Sequence, residues 1–215
     1  MADFSAIAPY EAFFSRELGS VGRDLESYAN LLRKWQTVQN LVSRETLEQV
    51  WTRHFADSLQ ILALTSGEDQ TFLDLGSGGG FPALPLAIAS KGSDRRFVLI
   101  EPTSRKVSFL RTVARELGLN VAVFGRRSDQ VDSRETGVPD VITSRALAGL
   151  PQLCRWMAPF FGPKTRAILH KGREHVEELA ESGAHWHHDV LIKPSDTDPG
   201  GVILAISNLR GKSVR

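Results

Sequence analysis

A glycine-rich segment that follows an acidic residue is the part of this sequence best suited to holding a ligand. It reads D-L-G-S-G-G-G from Asp74 to Gly80 and lies between two apolar stretches, which predicts a strand, a turn and a helix. Glycines let the backbone adopt positive φ and approach a ligand closely. A second acid, Glu101, ends the next apolar run, where a carboxylate can accept hydrogen bonds from both hydroxyls of a ribose. A tight turn without a ligand is the alternative, although a simple turn requires fewer special residues.

The charge of Asp74 indicates the kind of ligand. A carboxylate beside the loop repels a pyrophosphate and attracts a cation, and S-adenosylmethionine carries an ammonium and a sulfonium but no phosphate. The glycine spacing is G-x-G-x-G, rather than the G-x-G-x-x-G of dinucleotide-binding loops. Together with Glu101, the segment resembles motifs I and II of class I methyltransferases. This resemblance implies S-adenosylmethionine as the cofactor, and a nicotinamide-dependent oxidoreductase is the alternative from another class.

Further polar side chains follow the later predicted strands. Arg127, Ser128 and Asp129 follow the third strand, Arg145 ends the fourth and Lys171 ends the fifth. Because parallel strands end at one edge of a sheet, the three basic residues would form a positive rim around the ligand. Arg145 can donate to a base edge, an RNA phosphate or the carboxylate of methionine. Solvated loops are the alternative interpretation.

The segment R-H-F-A-D-S, from Arg53 to Ser58, lies in a predicted helix. Arg53 and Asp57 are four residues apart and can pair on one helix face, as can His54 and Ser58. From spacing alone, such a surface ion pair contributes only about 0.3–0.5 kcal/mol. The residue types by themselves therefore favour a solvated helix face.

Composition limits the classes of protein that remain. The 215 residues suit one domain with a short extension, and the single cysteine, Cys154, excludes an internal disulfide, which fits a reducing cytosol. No apolar run approaches the roughly 18 residues that suggest a membrane span, and residues 1–10 lack the pattern of a signal peptide. A cytoplasmic protein without a membrane partner is expected. The net charge of +1 requires any nucleic-acid-binding surface to be local.

Three histidines near the C-terminus, His185, His187 and His188, are candidate metal ligands. No second cluster with suitable ligand spacing accompanies them, so no metal cofactor is expected. His187 and Asp189 alternate along a predicted strand and would share its polar face.

Strands alternate with helices from Thr71 onward, which predicts an α/β fold. Five apolar runs read as strands that are buried on both faces, as in a parallel sheet: Phe72–Leu75, Phe97–Ile100, Val121–Phe124, Asp140–Thr143 and Ala167–Leu169. Residues 187–192 and 202–206 read as a terminal antiparallel pair, with 194–201 as the loop between them. Helices are predicted over 82–90, with Pro82 in the first turn, and from an N-cap at Ser104 to a stop at Gly118.

Residues 1–66 are predicted to form an N-terminal helical extension, and residues 67–215 the ligand-binding core. Leu25, Tyr28, Leu32 and Trp35 recur at helical spacing, with Gly19 and Gly22 predicted to break the chain before them. Residues between Leu47 and Leu62 form a second stripe of this kind and predict a second helix. Trp35 and Trp51 are interpreted as core residues rather than as stacking platforms for bases.

Several segments in combination resemble the RsmG (GidB) family of small-subunit rRNA methyltransferases. They are N-L-V-S at 40–43, R-H-F-A-D-S at 53–58, F-L-D-L-G-S-G-G-G-F-P-A-L-P at 72–85, E-P-T at 101–103, V-I-T-S-R-A at 141–146 and K-G at 171–172. The similarity runs from about residue 25 to 210. Three departures stand out: Ala83 replaces a usual glycine, the fourth-strand segment is one residue longer, and Gln130 replaces a second acid.

The resemblance implies a class I, Rossmann-like methyltransferase that methylates N7 of a guanosine in the 530 loop of 16S rRNA, within the small ribosomal subunit. The implied cofactor contacts, taken with the residues of the glycine loop, are Asp74, Gly76, Gly78, Gly80, Phe81, Glu101, Pro102, Thr103, Ser128, Asp129 and Arg145. The implied RNA contacts are Arg53, His54, Asp57, Arg127 and Lys171. Arg145, Arg127 and Lys171 are the candidate catalytic residues, and a monomer is expected.

Methylation of guanine N7 requires few catalytic groups from the protein. N7 is an exposed lone pair with no proton to remove, so no general base, cysteine or metal is needed, and catalysis rests on alignment. Arg127 or Arg145 would donate to guanine O6. A methyltransferase that acts on a protein or small molecule, and an RNA-binding module without activity, remain as alternatives.

Overall fold

The computed structural model describes residues 4–212, apart from the side chain of Arg44. Its centre is a seven-stranded sheet with the order β3-β2-β1-β4-β5-β7-β6. The strands are β1 (Thr71–Leu75), β2 (Arg96–Ile100), β3 (Val121–Phe124), β4 (Val141–Arg145), β5 (Arg166–Lys171), β6 (Trp186–Pro194) and β7 (Val202–Gly211). All seven predicted strands are present, and β4 begins one residue later than predicted because Asp140 caps the neighbouring strand through the amides of Gln70 and Thr71.

The first five strands run parallel, and β7 pairs antiparallel with both β5 and β6. The chain leaves β1 toward β2 and β3 on one side and later returns to β4 on the other. The boundary between β1 and β4 is therefore the switch point at which open α/β sheets bind ligands. The predicted parallel sheet and terminal antiparallel pair are confirmed. The position of β7 between β5 and β6 was not predicted from the sequence.

The helices cover both faces of the sheet, as predicted. They are α1 (Leu18–Gln36), α2 (Arg44–Glu48), α3 (Asp57–Leu59), α4 (Ala83–Ala89), α5 (Ser104–Glu116), α6 (Ser133–Thr136), α7 (Leu150–Met157) and α8 (His175–His185). Two predicted caps need correction: Pro82 occupies the N-cap position of α4, and Thr103 rather than Ser104 is the N-cap of α5. Gly118 does follow the end of α5 with φ +61°, a left-handed conformation that glycine adopts without strain.

Helix α1 begins before the two glycines that were predicted to precede it. Gly19 and Gly22 both lie inside the helix. At Gly22 an added Cβ would lie only 2.6 Å from the ring of Phe4, so the missing side chain lets that ring pack on the helix. The predicted apolar stripe is confirmed, with Leu25, Tyr28 and Leu32 buried.

The second predicted helix is wrong as a single α-helix. Its residues form α2, a π-helical segment over Trp51–Ala56, α3 and a 3-10 segment over Gln60–Leu64. The wider π turn changes the phase of the side chains. The expected pair of Arg53 with Asp57 does not form: Arg53 pairs with Asp198, and Asp57 pairs with Arg145.

Alternate residues of each parallel strand enter two hydrophobic layers. On one face, Phe72, Phe97 and Val141 pack with α1, α4, α5 and the segments between Val50 and Leu62. On the other, Leu73, Val98 and Ile142 pack with α7 and its neighbours. The N-terminal helices therefore share a core with the sheet, and this contact fixes the R-H-F-A-D-S segment above the carboxyl ends of the strands.

Candidate active site

Two adjoining cavities lie at the carboxyl edge of the sheet. The first, here called the loop cavity, has a volume of about 410 Å³ and is lined by Leu41, Val42, His54, Gly76–Gly79, Phe81, Glu101, Pro102, Lys106 and Arg145–Leu147. The second, the hairpin cavity, has a volume of about 360 Å³ and is lined by Thr46, Arg53, His54, Asp57, Arg145, Ala146, His170–Gly172, Ser195, Thr197, Asp198, Gly201 and Val202. His54, Arg145 and Ala146 line both, so they form the shared wall.

The glycine loop has the backbone conformation predicted for a ligand cradle. Gly76 and Gly80 have φ of +68° and +98°, and an added Cβ would lie 2.5 Å from Leu147 and 2.4 Å from Leu84, respectively. A side chain at either position would be strained by the positive φ and would displace these neighbours. Tyr28 of α1 supports the loop from behind, because its buried hydroxyl donates a hydrogen bond to the carbonyl of Gly79.

Glu101 faces the loop cavity with both carboxylate oxygens fixed. Its Oε2 accepts a hydrogen bond from the Gly78 amide at 2.9 Å, and its Oε1 accepts one from the Thr103 amide at 2.8 Å. The side chain is buried. Each oxygen retains a second lone pair, so the carboxylate can accept two further hydrogen bonds.

Asp74 occupies a different place from the one its charge suggested. It is 1% exposed, lies beneath the loop, and is not among the residues that line the cavity. Thr143 donates to its Oδ1 at 2.6 Å, and its Oδ2 has no hydrogen-bond partner among residues 4–212. Burial raises the pKa of Asp74 to about 7, so its negative charge is only partly present at neutral pH.

The hairpin cavity depends on the loop between β6 and β7, which sequence reasoning treated only as a connection. Thr197 donates to Asp57 Oδ1 at 2.7 Å, and the Asp196 amide donates to the side chain of Gln60 at 2.9 Å. Tyr10 also donates to Asp196, at 3.3 Å. The N-terminal segments thus hold the hairpin loop in position as a wall of the cavity.

Arg145, on the shared wall, is restrained by three acceptors. Its Nη1 donates to Asp57 Oδ2 at 2.9 Å and to the carbonyl of Arg53 at 3.1 Å, and its Nη2 lies 2.6 Å from His54 Nδ1. The guanidinium also lies over the ring of Phe81, with 4.9 Å from Cζ to the centroid. A salt bridge and a cation–π contact together restrict this side chain.

Both histidines of the hairpin cavity are neutral at physiological pH. Burial, with the nearby Arg145, lowers the pKa of His54 to about 3, and burial also lowers the pKa of His170. His170 Nε2 lies 2.8 Å from the carbonyl of Asp57 and therefore donates to it. Burial opposes ionisation of Asp57, but the charge of Arg145 and hydrogen bonds from Thr197 and Arg145 lower its pKa, so it is a carboxylate.

Other predicted residues lie apart or are already paired. Arg127 and Asp129 form an exposed ion pair with each other at 3.2 Å, and neither they nor Ser128 line the two cavities. Lys171 lines the hairpin cavity, but its ammonium pairs with Glu178 at 2.5 Å and donates to the carbonyl of Ala148, with the side chain only 6% exposed. Its structural effect is to tie β5 to α8 and to the loop before α7.

Sequence reasoning missed several lining residues. Leu41 and Val42 fall within the N-L-V-S segment, so their place could have been found from the resemblance. His170 precedes Lys171 at the end of β5 and was detectable in the same way. Thr46 and Thr197 carried no signal, because nothing in their spacing places them at the strand ends.

Residues 4–212 contain neither a membrane-spanning helix nor a cluster of metal ligands. Within residues 4–212, no helix is both long and apolar enough to cross a membrane. The same residues contain no group of three or more histidine, cysteine or acidic side chains that could hold a metal ion. His187 and Asp189 are separated by an irregularity in the register of β6, so the predicted alternation between them is interrupted.

The sheet order and the glycine loop define a class I methyltransferase fold, which solved structures share. M. jannaschii TYW2 in complex with AdoMet superposes with a TM-score of 0.55 at 16% identity, covering 79% of this chain and 77% of that one. A putative O-methyltransferase from Klebsiella pneumoniae gives a TM-score of 0.55 at 14% identity, covering 85% and 88%. At such identities the likeness concerns the fold alone.

Sequence similarity identifies the family. The GidB family model, described as rRNA small subunit methyltransferase G, matches residues 22–195. Proteins called ribosomal RNA small subunit methyltransferase G are 44% identical in Cereibacter sphaeroides, covering 85% of this chain and 87% of that protein, and 42% identical in Methylobacterium nodulans, covering 94% and 93%. The chain belongs to this family and is a methyltransferase. The nicotinamide-dependent alternative is therefore wrong.

Proposed function

We propose that the protein transfers a methyl group from S-adenosylmethionine to N7 of a guanosine in the 530 loop of 16S rRNA, within the small ribosomal subunit. Family membership supports rRNA of the small subunit as the substrate, and the resemblance of the motifs supports N7 and the 530 loop. The observation that carries the proposal is the wall shared by the two cavities. Methyl transfer needs the donor and the acceptor side by side in a fixed alignment.

The residues of the loop cavity fit S-adenosylmethionine. The free lone pairs of Glu101 suit the two ribose hydroxyls, and Gly78 leaves the backbone open, since an added Cβ would meet only the Gly76 carbonyl, at 3.8 Å. Phe81 and Pro102 supply apolar lining. When bound, the cofactor supplies an electrophilic methyl group on a positively charged sulfur. The ionised fraction of Asp74 beneath the loop favours such a cation.

The hairpin cavity suits the acceptor guanine. Its volume of about 360 Å³ falls within the range of small-molecule pockets, roughly 300–1,000 Å³. A base reaches such a pocket by leaving its stack, which costs least in a single-stranded loop. The polar lining offers donors from Arg145 and an acceptor from Asp198, matching the mixed edge of guanine.

The residues around the shared wall fit a nucleophile that has no proton to lose. His54 and His170 are neutral but engaged in hydrogen bonds, and Cys154 is buried beside Ser182 between α7 and α8. None of them is needed as a base, because guanine N7 attacks with its own lone pair. Arg145 would orient the base through O6, and the Asp57 carboxylate would offset the positive charge that develops on it.

The proposal also covers location and assembly. Both cavities are complete within one chain, so a monomer suffices for the reaction. A small ribosomal subunit as substrate places the reaction in the cytoplasm.

The test uses purified protein, radiolabelled S-adenosylmethionine and small subunits from cells that lack this methylation. We expect label in 16S rRNA, and chain cleavage specific for N7-methylguanosine should map it to one position in the 530 loop. Small subunits that already carry the methyl group serve as the control and should accept no label. Label in ribosomal proteins, in metabolites or at another nucleotide would contradict the proposal.

A further inference from the structure

We infer that His54 and Asp57 are positioning residues that clamp the guanidinium of Arg145 at the shared wall, leaving two of its five N–H groups for the O6 atom of the acceptor base. The inference rests on the proposed function for the identity of that base. It replaces the prediction that His54 and Asp57 contact RNA directly.

Three of the five N–H hydrogens of Arg145 are used within the protein. Arginine has five N–H donors, stays protonated and accepts no hydrogen bond. Both hydrogens of Nη1 are used, by Asp57 Oδ2 and by the Arg53 carbonyl, and one hydrogen of Nη2 is used by His54. The described residues supply no acceptor for the N–H of Nε or for the second hydrogen of Nη2. These two donors are available to a ligand.

The hydrogen bond from Arg145 determines the tautomer of His54. Since Arg145 can only donate, His54 Nδ1 must be the unprotonated nitrogen, at 2.6 Å from Nη2. The hydrogen then lies on Nε2, which donates to Thr46 Oγ1 at 2.9 Å, and the Thr46 hydroxyl in turn donates to the Ser43 carbonyl. Both ring nitrogens are therefore engaged, and the residue is only 6% exposed. This leaves His54 no polar atom for RNA.

Both carboxylate oxygens of Asp57 are also engaged within the protein. Its Oδ2 accepts from Arg145, and its Oδ1 accepts from Thr197 and from Gln60, at 2.7 and 2.9 Å. The same carboxylate thus holds Arg145 and the hairpin loop. His54 stacks on Phe81 with a centroid distance of 4.6 Å, and Arg145 lies over the same ring, so the clamp is also restrained by packing.

A fixed pair of donors selects among bases. The O6 atom of guanine accepts hydrogen bonds, whereas the amino group at the same position of adenine donates them. With adenine, the amino group would face the two N–H donors of Arg145, and these N–H groups would be left buried without an acceptor. An unclamped arginine could turn away from this clash, so the clamp adds specificity as well as alignment.

The test compares His54→Asn with His54→Gln. The amide oxygen of asparagine is bonded to Cγ, as Nδ1 is in histidine, and can still accept from Arg145, whereas the amide of glutamine lies one atom further out. Both variants lose the ring that stacks on Phe81, so the difference between them isolates the hydrogen bond. We expect kcat on small subunits to stay within about 10-fold of the wild type for Asn, and to fall about 100-fold for Gln. The dissociation constant for S-adenosylmethionine should stay unchanged in both.

Asp57→Asn provides the second half of the test. Its amide oxygen can accept from Thr197, but the amide nitrogen cannot accept from Arg145, so kcat should fall about 100-fold. Equal kcat in the Asn and Gln variants of His54, with cofactor binding intact, would overturn the clamp while leaving the proposed function in place. A wild-type protein that methylates no guanosine in the 530 loop would instead overturn the proposed function.

A measurement without catalysis tests the clamp in either case. Nitrogen-15 NMR of the imidazole rings should find His54 protonated on Nε2 and not on Nδ1. Arg145→Ala should release this preference, while leaving the ring signals of the distant His175 unchanged. Protonation of His54 on Nδ1 in the wild-type protein would overturn the inference.

Discussion

The two cavities differ in how much of their lining a local motif supplies. The loop cavity includes a backbone cradle, the glycine loop at 76–79, and adds Glu101 and Pro102 just after β2 and residues from three further stretches of the chain. The hairpin cavity presents polar side chains from five separate stretches of the chain, between Thr46 and Val202. A backbone cradle needs only a short local motif, whereas a side-chain pocket needs the whole tertiary structure to bring its members together.

The difference also affects how many neighbouring residues a single substitution disturbs. Glu101 contacts two amides close to it, so its loss should act locally. Asp57 joins Arg145, Gln60 and Thr197 through its carboxylate, and His170 through its carbonyl, in one network. Members of a shared polar network have coupled, non-additive effects. Substitutions in the hairpin cavity should therefore affect acceptor use as a group, and substitutions in the loop cavity should affect donor affinity one at a time.

The largest expected effect is that of Arg145→Lys. Lysine keeps the charge but cannot contact His54, Asp57 and the Arg53 carbonyl in one plane. Methyl transfer to small subunits should fall by about 10²–10³-fold, while the dissociation constant for S-adenosylmethionine, measured by calorimetry, changes by less than about 10-fold. A loss of cofactor binding as large as the loss of turnover would mean that Arg145 acts on the methyl donor rather than on the acceptor base.

Glu101→Gln should produce the next largest effect, on the other cavity. Hydrogen bonds to a charged group contribute about 1.5–3 kcal/mol, which corresponds to roughly 10–100-fold in affinity for the cofactor. Calorimetric titration measures this change. The KM for small subunits at saturating cofactor should stay near the wild-type value. If that KM rose as much as the dissociation constant for the cofactor, the two cavities would not bind donor and acceptor separately.

Thr197→Val tests whether the hairpin loop is part of the acceptor pocket. The substitution removes the hydroxyl that donates to Asp57 and keeps the shape of the side chain. The KM for small subunits should rise by about 10-fold, with cofactor affinity unchanged. Thr37→Val, at an exposed hydroxyl that bonds only the Lys34 carbonyl, is the matched control. A Thr197 variant that behaves like this control would remove the loop from the pocket.

Asp74 should affect stability in a pH-dependent way. Its pKa is raised from 3.8 to about 7 in the folded protein, so the folded state holds a proton that the unfolded state releases. This contribution to the free energy of unfolding is complete below about pH 4 and is lost as the pH rises through 7. Asparagine does not titrate, so in urea unfolding the Asp74→Asn variant should gain stability relative to the wild type as the pH rises over this range. A difference that stays constant from pH 4 to 8 would indicate an ordinary carboxylate.

Arg127→Ala should have the smallest effect. The residue forms an exposed ion pair with Asp129, and solvent screens such a pair so strongly that it contributes little. Turnover and cofactor affinity should both stay within about twofold of the wild type. A large loss of turnover would mean that the loop after β3 contacts the acceptor RNA. This loop would then be a third part of the active site, beside the two cavities.

The sequence alone determined most of the fold and much of the loop cavity. Apolar runs and glycines are local signals, since a strand buried on both faces must be apolar throughout and a left-handed turn favours glycine. All seven strands, the glycine loop and the position of Glu101 followed from such signals. The breaks at Gly19 and Gly22 were predicted wrongly, because only the packing of Phe4 shows why glycine lies inside α1.

The tertiary structure decided the hairpin cavity and the partners of its charges. Arg53 and Asp57 looked like partners at a spacing of four, yet the π-helical segment turned them toward Asp198 and Arg145. Arg127 and Lys171 looked like free cations and are paired with Asp129 and Glu178. The physical reason is that a backbone conformation is specified by neighbours in the chain, whereas the partner of a charged side chain is specified by whatever the fold brings within about 4 Å of it.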